Sequence, residues 1–197
     1  MKLLLAVLIV FWLYSLSVLK RANLQFFRFL VGSVGLFLVM LILISSYLND
    51  RFGELVSGAA GIIGQICGYY KTYYEYALIL ITRPEESISM YIDYECSGII
   101  EIMAYVALLT FFPVYHTLEK IIYGVGGVLW IFSSNILRIF VICTLIYIFG
   151  NEIYFFAHTI FGRFIFYSCS IALYFYVFTR NQIKRQQVGD FSYGVSK

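Results

Sequence analysis

The sequence predicts an all-α polytopic membrane protein, with about five transmembrane helices and an extracytoplasmic cap made of an interfacial helix and a small β-hairpin. Three observations carry this. Of 197 residues, 61% are hydrophobic and 13% charged, with a mean hydropathy of +0.85, a balance foreign to water-soluble domains. Apolar runs near the roughly 20 residues needed to cross a bilayer recur along the chain. The basic residues gather at the ends of those runs, as they do where charge orients membrane helices. A formal charge of +3, so distributed, excludes a nucleic-acid-binding surface.

The clear spans are residues 3–19, 26–48, 98–115, 121–149 and 159–179. The first is preceded only by Lys2 and lacks a small-x-small cleavage site, so it reads as an uncleaved helix rather than a signal peptide. Lys20, Arg21 and Arg28 flank the first connection, and Arg180, Lys184 and Arg185 follow the last span. Both regions therefore belong in the cytoplasm. Walking back from the tail places residues 150–157 outside, 112–120 inside and Cys96 outside, while walking forward from the first connection brings Leu48 outside. The walks agree if residues 49–95 cross an even number of times, and zero is the simplest even number. The expected organisation is one integral membrane domain over 1–197: two N-terminal helices (1–48), an extracytoplasmic cap (49–95), a three-helix core (96–180) and a cytoplasmic tail (181–197).

Within the cap, residues 55–74 are rich in small residues and end in Tyr69, Tyr70, Tyr73 and Tyr74, with Lys71 and Glu75 four apart. This predicts a helix lying at the membrane interface, where tyrosine is favoured. Residues 87–94 alternate Ser87, Ser89, Tyr91 and Asp93 with Ile88, Met90, Ile92 and Tyr94, a strand period. The strand-capable segment 76–81 precedes them, and Thr82-Arg83-Pro84-Glu85-Glu86 has turn composition, so a hairpin is expected to deliver the chain to Cys96. The competing reading is a single spanning helix over 55–81.

Cys67, Cys143 and Cys169 lie within apolar runs and read as small packed hydrophobes. Cys96 instead stands at the start of a predicted helix, between Glu95 and Ser97-Gly98, where first-turn N–H groups and the helix dipole favour a thiolate. A structural interface cysteine is the bland alternative. Ionisable residues inside membrane segments are costly and are functional candidates by default. Arg138 is the lone arginine of the run 121–149, about 26 Å above Ile121 at about 1.5 Å per residue. His158 opens the last span. These three residues thus fall at the outer ends of three helices, although Arg138 alone reads as snorkelling and His158 alone as interfacial. Nucleophile, cation and acid/base form a set with a known chemistry. His116 reads as a solvated loop residue, and Gly124, Gly126 and Gly127 as permitting close helix packing. No metal is expected, because two histidines on opposite sides of a membrane cannot share an ion, and no cofactor is expected.

Glu95-Cys96-Ser97-Gly98-Ile99, Asn135-Ile136-Leu137-Arg138-Ile139 and His158-Thr159-Ile160-Phe161-Gly162 together resemble the three signature blocks of the exosortase and archaeosortase family, over about residues 55–180. The short length and the Glu-Cys-Ser-Gly-Ile form are similar to the compact XrtG-type branch of Gram-positive bacteria. The resemblance implies a membrane-embedded cysteine transpeptidase that processes C-terminal sorting signals of exported proteins. It implies Cys96 as nucleophile, Arg138 as electrostatic stabiliser and His158 as proton donor and acceptor. Its partners would be the exported substrate, an unidentified acyl acceptor and the lipid bilayer. Asn135, one turn before Arg138, is a candidate to orient the arginine or the substrate backbone. Glu95 and Ser97 flank the nucleophile as supporting residues, although a carboxylate there would by itself disfavour thiolate. The reading from another class is a non-catalytic membrane scaffold or small transporter, with Arg138 and His158 lining a polar path. Such a protein would tolerate serine or alanine at position 96.

Overall fold

The computed structural model describes residues 2–43, 45–83, 86–92, 94–180 and 183. The chain opens with two antiparallel helices, α1 (Lys2–Arg21) and α2 (Gln25–Leu43), joined at Asn23, whose φ of 54° is left-handed and tolerated by asparagine better than by most residues. The Trp12 indole N–H donates to the Val31 carbonyl at 2.9 Å and ties the pair together. α3 (Ser45–Cys67) follows, then β1 (Tyr70–Tyr73), a 3₁₀ turn (Tyr74–Tyr76), β2 (Leu78–Thr82) and β3 (Ser87–Tyr91). The single turn α4 (Tyr94–Ser97) leads into α5 (Ile99–Phe111), and α6 (Thr117–Phe149) runs the length of the bundle. α7 (Gly162–Tyr174) is continued by π-helical turns at Phe156–Phe161 and Phe175–Thr179, making one rod of 24 residues.

Among the described residues, three helices are long and apolar enough to cross a membrane: Gln25–Leu43, Thr117–Phe149 and Phe156–Thr179. The protein is therefore a mostly helical membrane protein carrying a small sheet. The expected span 98–115 is shorter in the structure, a helix of 13 residues, because Pro113 pushes Phe112 out of the helical region to φ −65°, ψ 120°. The expected span 26–48 ends at Leu43, and a new helix begins at Ser45.

The cap region differs from the expectation in two ways. The helix expected over 55–74 is present only as far as residue 67: α3 ends at Cys67, Gly68 takes φ 74°, and the tyrosine-rich segment becomes β1. Tyrosine and threonine suit a pleated, half-buried surface, and pairing with β2 (Tyr70 opposite Ile81, Tyr73 opposite Leu78) supplies the backbone partners. The hairpin of β2 and β3 is present, antiparallel with Leu78 opposite Tyr91, but it is two strands of a three-stranded sheet ordered β1-β2-β3. A single helix over 55–81 is excluded. Pro84, Glu85 and Asp93 lie outside the described residues, as does nearly all of the tail 181–197.

α3 packs the face carrying Val56, Ser57 and Ala60 against β1, where the Tyr70 hydroxyl donates to the Ala60 carbonyl at 2.8 Å. Burial pushes the Tyr70 pKa above its ordinary value, so this donor keeps its proton. Two apolar cores result. One joins the sheet to the C-terminal third of α6 through Ile79, Ile81, Ile139, Ile142 and Ile146. The other fills the opposite end of the bundle with Tyr105, Leu109, Phe112, Ile131, Phe166 and Leu173. At that end the Lys120 ammonium donates to the Thr110 carbonyl at 2.6 Å, tying α5 to the start of α6. Here His116 does more than sit in water: its side chain and that of Glu119 form a reciprocal cap on α6, closing N–H groups that the first helical turn leaves unpaired. Of the three α6 glycines, Gly127 is the one in close approach, since a Cβ there would collide with the Tyr105 ring, while nothing lies within 4 Å of one at Gly126.

Candidate active site

The seam between the two cores is where the ionisable residues gather. α6 contributes Asn135 and Arg138, both on the face that carries Ile131 and Ile142 into the cores. Arg138 is 3% exposed. Its guanidinium stands 5.8 Å from the centroid of the Phe166 ring of α7, close enough for the ring's negative face to help hold a buried cation. From there its Nη2 points at the Cys96 sulfur, 3.7 Å away.

Cys96 reaches this point by a route the sequence does not spell out. It lies in the single turn α4 rather than in the first turn of α5, and the two are separated by Gly98 at φ 79°, a conformation that side chains with a Cβ resist. A Cβ at Gly98 would also stand 3.4 Å from Cγ of Asn135. The Asn135 amide donates to the Cys96 carbonyl at 2.8 Å, and this bond fixes which way the amide faces. The other amide atom, Oδ1, is buried and has no hydrogen-bond partner among the described residues. Ser97 is almost fully buried, and its hydroxyl accepts from the Ile99 N–H at 3.4 Å, bracing the bend. The Glu95 side chain lies outside what the structure describes.

His158 completes the group from the π-helical turn ahead of α7. Its Nε2 is 3.2 Å from the Cys96 sulfur. Such a turn widens the helix by one residue and shifts the phase of what precedes it. Tyr154, four residues earlier, stacks on the imidazole with ring centroids 5.7 Å apart and planes 2° from parallel. Thiol, imidazole and guanidinium thus meet within hydrogen-bonding range, half-buried at Cys96 and His158 and buried at Arg138.

Sequence reasoning passed over three neighbours of this group. Phe166 and Tyr154 are aromatic residues in an aromatic-rich span, so nothing marks them, although the i, i+4 spacing of Tyr154 and His158 was a usable signal. Glu101, on α5, lies within electrostatic reach of Arg138. A carboxylate inside an apolar run was the signal there. The other cysteines stay apart: Cys143 is buried in the core beside the sheet, no disulfide is formed, and no group of three or more metal-ligating side chains occurs among the described residues.

Fold and site together define a helical membrane protein with a thiol, an imidazole and a guanidinium gathered at the seam between its two cores. A family model described as "Transmembrane exosortase (Exosortase_EpsH)" matches residues 1–175. The chain belongs to that family, and the match takes in the two N-terminal helices as well as the three signature blocks. Membership points to a membrane protein of the class of cysteine transpeptidases that act on sorting signals of exported proteins. No curated protein and no solved structure matches the chain.

Proposed function

We propose that this protein is a cysteine transpeptidase that cleaves the C-terminal sorting signal of an exported protein at the extracytoplasmic face of the cell membrane. The observation that carries the reading is the single sulfur of Cys96 standing 3.2 Å from the His158 imidazole and 3.7 Å from the Arg138 guanidinium. His158 takes the thiol proton, and the Cys96 sulfur attacks the scissile carbonyl. Arg138 stabilises the thiolate and then the oxyanion, in a dry site where a fixed cation acts most strongly. His158 returns its proton to the leaving amine as the C–N bond breaks, leaving a thioester on Cys96. An incoming amine, or water, attacks the thioester, gives its proton to His158 and restores the thiol.

Asn135 is assigned a positioning role: its Nδ2 holds the Cys96 carbonyl and so fixes the turn that carries the thiol. Ser97 positions the nucleophile, and Tyr154 and Phe166 hold the imidazole and guanidinium. The Glu-Cys-Ser-Gly-Ile block supports a place in the compact XrtG-type branch.

The test is a chromosomal Cys96→Ala allele in the native host, with the C-terminal peptides of exported proteins compared by mass spectrometry. We expect one or more exported proteins to accumulate in the membrane with their C-terminal tails uncut, while the variant itself is inserted at normal levels. Unchanged C-termini throughout would overturn the assignment.

A further inference from the structure

Among the described residues β3 is an edge strand, with no strand paired on its outer side. α3 packs along β1, whereas the principal neighbour of β3 is β2. The register identifies which backbone groups face outward. The Ile92 N–H donates to the Ala77 carbonyl and the Arg83 N–H to the Glu86 carbonyl, so in this register even-numbered residues of the strand face β2. In an antiparallel ladder the alternate residues face away. Ser87, Ser89 and Tyr91 therefore turn their N–H and C=O groups outward, and no backbone partner for them occurs among the described residues. Unpaired strand edges are not tolerated in hydrocarbon, so this edge lies in water. The usual protections of a water-facing edge, a lysine, a proline or a bulge, are absent over Ser87–Tyr91.

The edge also leads to the nucleophile. β3 starts where Glu86 accepts the Asn151 N–H at 3.1 Å, just past the end of α6, and continues through Ile92 into α4, which carries Cys96. The descent matches on both sides: from Phe149 to Arg138 along α6 is about 16 Å, and from Glu86 to Ile92 along an extended strand is about 20 Å. Resting on the transpeptidase reading, we propose that the extended segment of the substrate just ahead of its membrane anchor binds as a fourth strand on β3. A substrate whose C-terminal helix lies in the membrane descends from N to C toward the bilayer, as β3 does, so the added strand runs parallel. Backbone bonds to Ser87, Ser89 and Tyr91 then hold it by main chain, with little demand on its sequence, as in other β-augmentation complexes. Its next residues pass Asn135 and present a carbonyl to Cys96.

The test uses the full chain in lipid nanodiscs and an acetylated six-residue peptide chloromethyl ketone of alternating threonine and valine. Cys96 Sγ displaces chloride from this probe to form a thioether. Two isomers carry N-methyl groups on alternate residues, one set in each phase. A parallel strand offers β3 the N–H groups of every second residue, so one isomer should alkylate Cys96 about tenfold more slowly than the parent and the other within about twofold. Ser89→Pro removes one outward N–H without touching the ladder to β2 and should slow the parent to a similar degree. Iodoacetamide, which needs no strand, should alkylate wild type and Ser89→Pro alike.

Isomers that react equally, with iodoacetamide still alkylating Cys96, would overturn the edge proposal and leave the nucleophile standing. A Cys96 inert to both reagents would remove the transpeptidase reading and this inference with it. A dimer in detergent that Ser89→Pro dissociates would show that a second copy occupies the edge, and would overturn the proposal.

Discussion

At the residue scale the proposed chemistry turns on one guanidinium held in a nearly dry place. Arg138 is 3% exposed and has the Phe166 ring on one side and the Cys96 sulfur on the other. Lysine keeps the charge but offers a compact, strongly hydrated ammonium instead of a planar fork. Arg138→Lys should therefore lower the rate of substrate processing by about 10²-fold, the usual loss of one oxyanion donor, with protein level unchanged. His158→Gln keeps the side-chain size and a polar end yet cannot carry a proton between sulfur and leaving amine. Its single-turnover acylation, read with a peptide substrate by mass spectrometry, should fall by about 10²-fold or more. Wild-type rates in both variants would return these positions to a structural role.

At the scale of elements, the site depends on how closely α5 approaches α6. The Tyr105 ring lies over Gly127, and its hydroxyl donates to the Tyr123 carbonyl at 2.7 Å. Any Cβ at position 127 meets that ring, so Gly127→Val should force the helices apart and cost about 1–3 kcal/mol, the usual penalty for overpacking. Gly126→Val is the matched control, with nothing within 4 Å, and should change stability by no more than about 0.5 kcal/mol. Thermal unfolding of the two variants in the same detergent measures the difference. Because α5 follows directly from the turn that holds Cys96, Gly127→Val should also slow processing, and Gly126→Val should not. The notion that all three α6 glycines serve close packing thus reduces to one of them.

For the whole molecule, the sheet and the thiol lie toward the same end of the bundle, with His116 and Lys120 at the other. The charge pattern of the loops predicts that the sheet end faces the extracytoplasmic side, and thiol labelling tests it. In a variant with Cys67, Cys143 and Cys169 replaced by alanine, a membrane-impermeant maleimide should label Cys96 in intact cells whose outer barrier admits it. Labelling that requires permeabilised membranes would reverse the orientation. The cysteine background matters because Cys67, expected to be buried in an apolar helix, is half-exposed at the end of α3 beside the sheet.

The amino-acid sequence by itself determined the class of this protein and the chemistry available to it. Hydropathy is a sum over local residues, so the membrane setting and the long helices α2 and α6 follow from composition and run length alone. Strand alternation is also local, and Ser87, Ser89 and Tyr91 are exposed while Met90 is buried, as their period required. An arginine, a histidine and a thiol in apolar surroundings are conspicuous without any structure, because burying such groups is costly. What the tertiary structure decided is everything that depends on partners distant in the chain. β1 became a strand because β2 lay beside it, against a local pattern that read as helix. Gly98 sets Cys96 apart from α5, and Asn135, 39 residues past Cys96, holds the Cys96 carbonyl there. His158 reaches the sulfur through a π-helical turn, and Phe166 and Tyr154 hold the guanidinium and the imidazole through contacts between or within helices that no run of hydrophobicity encodes. Local periodicity names the elements, but only their packing sets which side chains converge and which strand, β3, ends the sheet among the described residues.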